Sequence, residues 1–189
     1  MPLARGGVIV RAMPSRRRVV TLLLASSLWA CSSVQRPDGG KGLLPAGSQA
    51  PDVSGEDQRG QTIRLRDLRG KPVVVYFYPK DGTPGCTKEA CAFRDVWSRY
   101  DEAGVAVLGV SADDRASHAE FAAEHKLTFP LVADPDGVWT GAFGVSSTLG
   151  MASRVTFLID RDGAVAKVYP DVDPGVHAIE VLADAEKLR

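Results

Sequence analysis

Cys86 is the residue best placed in this chain to act as a nucleophile. It follows Thr83-Pro84-Gly85 within YFYPKDGTPGCTKEACAFRD (76–95), where an apolar run, Val73 to Tyr78, meets a Pro/Gly-rich turn and a helical pattern begins. Helix N-termini present unpaired N–H groups and a partial positive charge, so a cysteine there is stabilised as the thiolate, the form that attacks. As an ordinary residue Cys86 would be a small piece of core, but its place directly after the turn speaks against that. The polar and cyclic residues nearby each have a plain structural role too. Pro79 ends the apolar strand, Thr83 stands where a helix N-cap belongs, and Arg154, just before Val155, would be a solvated charge. Cys91 follows five residues after Cys86.

Other reactive side chains are scattered. His118, His125 and His177 form no i, i+4 pair and have no cysteine cluster beside them, spacings that speak against a metal site. Glu89 and Arg94 read as helix and local salt-bridge residues, and Trp97 and Trp139 as core or as the wall of a subsite. Formal net charge is zero over 189 residues, yet five of the 23 basic groups are arginines before Cys31. The remainder carries 18 basic against 23 acidic groups, about −5, which argues against nucleic-acid binding.

The elements that must position these residues alternate. Val53-Ser54 and Thr62 to Leu65 predict a short hairpin across Asp57 to Gly60, with a turn at Asp67 to Gly70. Val73 to Tyr78 is a strand buried on both faces. A helix is expected from about Pro84 to Ala103, with Cys86, Ala90, Phe93, Trp97 and Tyr100 on its apolar stripe and Cys91 off it. Strand Val105 to Val110, helix Ser117 to His125 (Ala119, Phe121 and Ala122 inward), strand Phe129 to Ala133 and a short helix or turn at Val138 to Phe143 follow. A hairpin of Val155 to Ile159 and Ala164 to Tyr169 turns at Asp162-Gly163, and helix His177 to Leu188 closes the chain. Strands alternating with helices before a late hairpin give an α/β class, a central mixed sheet flanked by helices with an N-terminal hairpin.

Pro79-x-x-x-Thr83-x-x-Cys86, together with Arg154 in SRVTFLID, resembles the active-site signature of the peroxiredoxins, thiol peroxidases on a thioredoxin-like fold. Cys91 at five residues' distance is similar to the bacterioferritin-comigratory/peroxiredoxin Q subgroup. The likeness runs from about Gly47 to the C-terminus. It implies that Cys86 attacks peroxide and becomes a sulfenic acid, that Cys91 condenses with it to a disulfide, and that a thioredoxin-like dithiol protein restores both thiols. It further implies that the Thr83 hydroxyl bonds thiolate and peroxide, that Pro79 shields the thiolate, and that Arg154 stabilises it and polarises the oxygen–oxygen bond. A monomer needing no metal, haem or flavin is expected.

Upstream, Arg16-Arg17-Arg18 precede the apolar run Val19 to Ala30. Twelve residues fit a signal-peptide h-region but fall short of the roughly 20 that cross a bilayer. Leu28-Trp29-Ala30-Cys31 resembles a bacterial lipobox, so 1–30 is expected to be an export signal and Cys31 a lipid-attachment site on the periplasmic side of a bacterial membrane. Ser15 to Val20 weakly resembles a twin-arginine signal, an ordinary Sec segment being preferred, and Met13 is an alternative start. Residues 31–49, rich in Ser, Gly and Pro, are expected to be a flexible tether with a reach of roughly 24 Å, leaving 50–189 as the domain. Two other functions fit an exported thiol domain: disulfide exchange, which wants Cys-x-x-Cys, and a Sco-like copper module, which wants Cys-x-x-x-Cys and a distant histidine. Four residues separate the two cysteines here.

Overall fold

The computed structural model describes Met1 and residues 36–188. Apart from Met1, the expected export signal and the lipid-attachment residue Cys31 lie outside the described residues. A five-stranded mixed sheet organises the domain. Its centre is β3 (Val73–Phe77), parallel to β4 (Ala106–Ser111) and antiparallel to β8 (Val155–Ile159). β5 (Leu131–Ala133) extends β4 in parallel, and β9 (Val165–Tyr169) returns antiparallel on β8. The expected N-terminal hairpin is β1 (Ser54–Glu56) with β2 (Thr62–Arg64).

Every β3 residue is buried, and the period of two divides them between two cores. Val74 and Tyr76 point to the side of Phe93, Tyr100, Phe129 and Leu182, while Val73, Val75 and Phe77 point to the side of Trp139, Phe143 and Phe157. The first core is covered by α1 (Pro84–Asp95), α2 (Trp97–Glu102), α3 (Arg115–His125) and α5 (His177–Ala185). The second lies under α4 (Val138–Ala142) and the N-terminal segments. Tyr76 and Phe93 stack at 4.8 Å, each essentially without solvent exposure. Side chains of this size contribute roughly 1.5–3 kcal/mol each on burial, so the sheet and the helix bearing Cys86 are held tightly together.

Four features differ from the pattern-based expectation. The helix expected over Pro84 to Ala103 breaks at β-branched Val96 (φ −110°, ψ 15°), although its stripe runs on to Tyr100. In α3, capped by Asp114, the buried residues are His118, Phe121 and Ala122, and Ala119 is exposed. An unpredicted hairpin, β6 (Ser147–Thr148) and β7 (Met151–Ala152), turns through Leu149 and Gly150, both at positive φ. Finally, the described part of the expected tether, residues 36–49, packs onto the domain. Leu44 is buried and its N–H donates to the Phe143 carbonyl at 2.9 Å, while Gly47 and Ser48 exchange backbone bonds of 2.8 Å with Val165. Arg36 folds back to donate to the Gly42 and Leu43 carbonyls. Gly144 makes this docking possible: a Cβ there would stand 1.9 Å from the Gly42 carbonyl oxygen.

Candidate active site

β3 runs out at Phe77, and the chain passes Tyr78 and half-buried Pro79 into a loop that ends at Thr83. Gly82, at φ +68°, supplies the left-handed bend in that loop. Thr83 has the extended backbone of an N-cap and accepts the Thr87 N–H at its carbonyl, 2.8 Å. Its hydroxyl does not cap. It donates to the Lys80 carbonyl at 3.0 Å, so in this state its proton is committed to the loop and not to sulfur. Pro84 opens α1, where its missing N–H costs nothing.

Cys86 is the third residue of α1, buried, with its sulfur directed at Arg154. The sheet register brings them together. Phe77 pairs with Val155, so Arg154 stands one residue beyond the last rung, where β3 gives way to the loop. Its Nη2 donates to Cys86 Sγ at 3.2 Å, and Nη1 donates to Glu89 Oε2. A Cβ at Gly85 would come within 3.2 Å of Nη2, a tight contact that glycine avoids. Burial opposes the charge of Arg154, but Glu89 and Cys86 together raise its pKa, so the guanidinium remains charged.

Glu89 was not among the expected site residues. It lies three residues after Cys86 on the same helix face and is fully buried, with Oε1 lacking a hydrogen-bond partner. Burial pushes its carboxyl up to about 7, against the opposing pull of Arg154. The signal was present in the sequence: a carboxylate at offset three falls inside the apolar stripe. Asp81 was missed as well. Burial raises its carboxyl, but bonds from His118, Tyr78 and Ser117 outweigh this and hold it below the usual carboxylate range.

Cys91 sits on the same uninterrupted helix, partly exposed, and both cysteines are free thiols. Five residues give a rise of about 7.5 Å and a net rotation of about 140°. The two sulfurs therefore face different sides, and closing a bond between them requires backbone movement. Downstream, Arg94 Nη1 donates to the His125 carbonyl at 2.8 Å, tying the end of α1 to the end of α3. The structure thus brings Cys86, Arg154 and the loop of Pro79 and Thr83 together, and sets Cys91 apart. A buried sulfur nucleophile at a helix N-terminus, touched by a guanidinium, has a fixed positive charge beside it that can stabilise the negative charge left on a departing oxygen.

Comparison with known proteins shows what the chain as a whole is similar to. A model of the AhpC/TSA family matches residues 46–168. The putative peroxiredoxin bcp of Coxiella burnetii is 42% identical over 146 residues, 74% of this chain and 97% of that protein. Chloroplastic peroxiredoxin Q of Triticum aestivum is 42% identical over 150 residues, 78% of this chain and 69% of that one. Among solved structures, peroxidoxin BcpB from Mycobacterium tuberculosis has a TM-score of 0.72 at 36% identity, covering 77% of this chain and 99% of that one. The bacterioferritin comigratory protein of Xanthomonas campestris, described with alkyl peroxide reduction activity, has a TM-score of 0.70 at 35% identity over 76% and 98% of the two chains.

Proposed function

The chain belongs to the AhpC/TSA family as a peroxiredoxin of the bacterioferritin-comigratory/peroxiredoxin Q type, a peroxide-reducing enzyme on a thioredoxin-like fold, and from that premise we propose a two-cysteine mechanism. The Cys86 thiolate attacks one oxygen of a hydroperoxide, a sulfur–oxygen bond forms as the oxygen–oxygen bond breaks, and the departing oxygen takes a proton to leave as water or alcohol. Cys86 is then a sulfenic acid. The Cys91 thiolate displaces its hydroxyl as water and leaves a Cys86–Cys91 disulfide, which an external thioredoxin-like dithiol reduces by exchange. Hydrogen peroxide and organic hydroperoxides are both substrates in this reading.

The observation that carries the proposal is the 3.2 Å contact between Arg154 Nη2 and Cys86 Sγ at the start of α1. The fixed positive charge stabilises the sulfur anion before attack and the charge on the oxygens during it. Glu89 holds the other arm of the guanidinium and so sets its orientation. Pro79 shields the sulfur from water, and the Thr83 hydroxyl turns from Lys80 to the peroxide when substrate arrives. The test is peroxide consumption by the full chain with a generic dithiol reductant. Cys86→Ser is expected to abolish turnover while folding normally, and retention of more than a tenth of the wild-type rate would overturn the assignment.

Export is a separate proposal supported by the order of basic, apolar and lipobox-like residues before Cys31. It places the enzyme on the periplasmic side of a bacterial membrane through lipid on Cys31. Stable attachment needs more than one acyl chain, so fatty-acid labelling in a bacterium is expected to be multiple in wild type and absent in Cys31→Ala. Equal labelling of the two would remove the anchor and leave the peroxidase proposal untouched.

A further inference from the structure

The loop that carries Pro79 and Thr83 is gripped by a network that the chemistry above leaves unused. The Asp81 side chain is 6% exposed and His118 is fully buried beside it. A carboxylate only accepts, so the ring proton faces Asp81: His118 Nδ1 donates to Oδ2 at 2.8 Å. The Ser117 hydroxyl donates to the same oxygen at 2.8 Å, and the Tyr78 hydroxyl to Oδ1 at 2.7 Å. The Asp81 N–H donates to Asp113 Oδ2 at 2.9 Å, where the Ser111 hydroxyl also donates at 2.7 Å. On its far side, His118 Nε2 lies 3.3 Å from the Val132 carbonyl. Tyr78, one residue past β3, and the first turn of α3 therefore meet on one loop residue two places before Thr83, with the end of β4 reached through Asp113 and the middle of β5 through His118.

We infer that Asp81 is a positioning residue for the peroxide step, an inference that rests on the peroxidase reading above. Disulfide formation requires the first turns of α1 to open in each cycle, and the assembled site must re-form afterwards from a fixed starting point. The Asp81 network is attached on the N-terminal side of Gly82, whose left-handed backbone (φ +68°) separates it from the helix. Opening of α1 leaves that network whole. It keeps Lys80, the carbonyl partner of the Thr83 hydroxyl, in place for the next peroxide. Three donors on one buried carboxylate are charge-assisted and directional. An amide of the same size could not accept from all three, because one accepting oxygen becomes a donor.

Asp81→Asn in the full chain is expected to lower the second-order rate of the peroxide step about 10–100-fold, since a misplacement near 1 Å can cost up to about a hundredfold. Conversion of preformed sulfenic acid to disulfide, followed in a single turnover by quench and mass measurement, is expected to keep its rate or to quicken. Ser117→Ala and Tyr78→Phe, each removing one donor, are expected to show smaller losses with the same split. Both rates are taken per folded molecule, with the folded fraction fixed by circular dichroism, so that loss of stability alone leaves the peroxide rate unchanged. If Asp81→Asn does not fold, the two single-donor variants decide. Peroxide rates within twofold of wild type in the folded variants, or equal losses in both steps, would overturn the inference. Failure of the underlying reading is distinct: the wild-type chain would itself consume no peroxide, or Cys86→Ser would still do so.

Discussion

Arg154 is shared between the Cys86 sulfur and a carboxylate buried beside it. Replacement by alanine removes the positive charge and both donors, so Arg154→Ala is expected to slow the peroxide step about 10²–10³-fold. Stopped-flow kinetics with excess peroxide would show it, and an unchanged second-order constant would return Arg154 to a structural role. Glu89 makes stability depend on pH. Its carboxyl, raised by burial to about 7 in the folded protein, returns to about 4.5 when unfolded. The folded state then binds more protons between those values, and Glu89 makes stability fall as pH rises through that window. His177, whose pKa burial lowers to about 4 from 6.5, contributes the opposite slope, with stability lost as pH falls toward 4. Comparing Glu89→Gln with wild type cancels the His177 effect, and the advantage of the variant in melting temperature is expected to grow from pH 5 to pH 7. A constant difference would mean that Glu89 is ionised throughout. The local residues of the site were legible because Pro79, Thr83 and Cys86 lie in one short turn-and-helix stretch. Asp81 with His118 was not, since 37 residues separate the partners and only the sheet brings them together.

At the scale of elements, the proposed disulfide requires α1 to be stable enough to bury Cys86 and weak enough to open. Phe93 and the Arg94 bond to the His125 carbonyl hold its last turn, while its first turn is free of a side-chain cap. Opening is therefore expected to start at Pro84 and to stop near Phe93. Hydrogen exchange should show amide protection lost over about Pro84 to Phe93 in the disulfide form, with β3 and β4 unchanged. Equal protection of that segment in reduced and oxidised protein would rule out this route to the disulfide. The strands were legible from apolar runs because β3, β4 and β8 are buried on both faces. The β6–β7 hairpin was not. Its turn pair, Leu149-Gly150, adopts positive φ at both positions without the Asn or Asp that ordinarily announces such a turn.

At the scale of the molecule, the domain begins earlier than its composition suggests. Residues 36–49 read as a tether because Ser, Gly and Pro dominate, yet Leu43-Leu44 within them is the apolar pair a tether has no use for. Leu44 enters the core beside Phe143, and the backbone around Gly47 adds rungs to the outer edge of β9, covering an edge that would otherwise be open to pairing. Leu44→Ala leaves a cavity at a site 4% exposed, and a loss of about 2–4 kcal/mol in urea unfolding is expected. A chain beginning at Gly47 loses the same contact together with the Arg36 bonds to the Gly42 and Leu43 carbonyls, and is expected to be destabilised at least as much. Neither change touches α1, because Leu44 belongs to the core on the other face of β3 from Cys86. The second-order rate with peroxide should accordingly stay within twofold of wild type for whatever fraction remains folded. A tether would give the opposite result, with both variants unfolding at the wild-type midpoint.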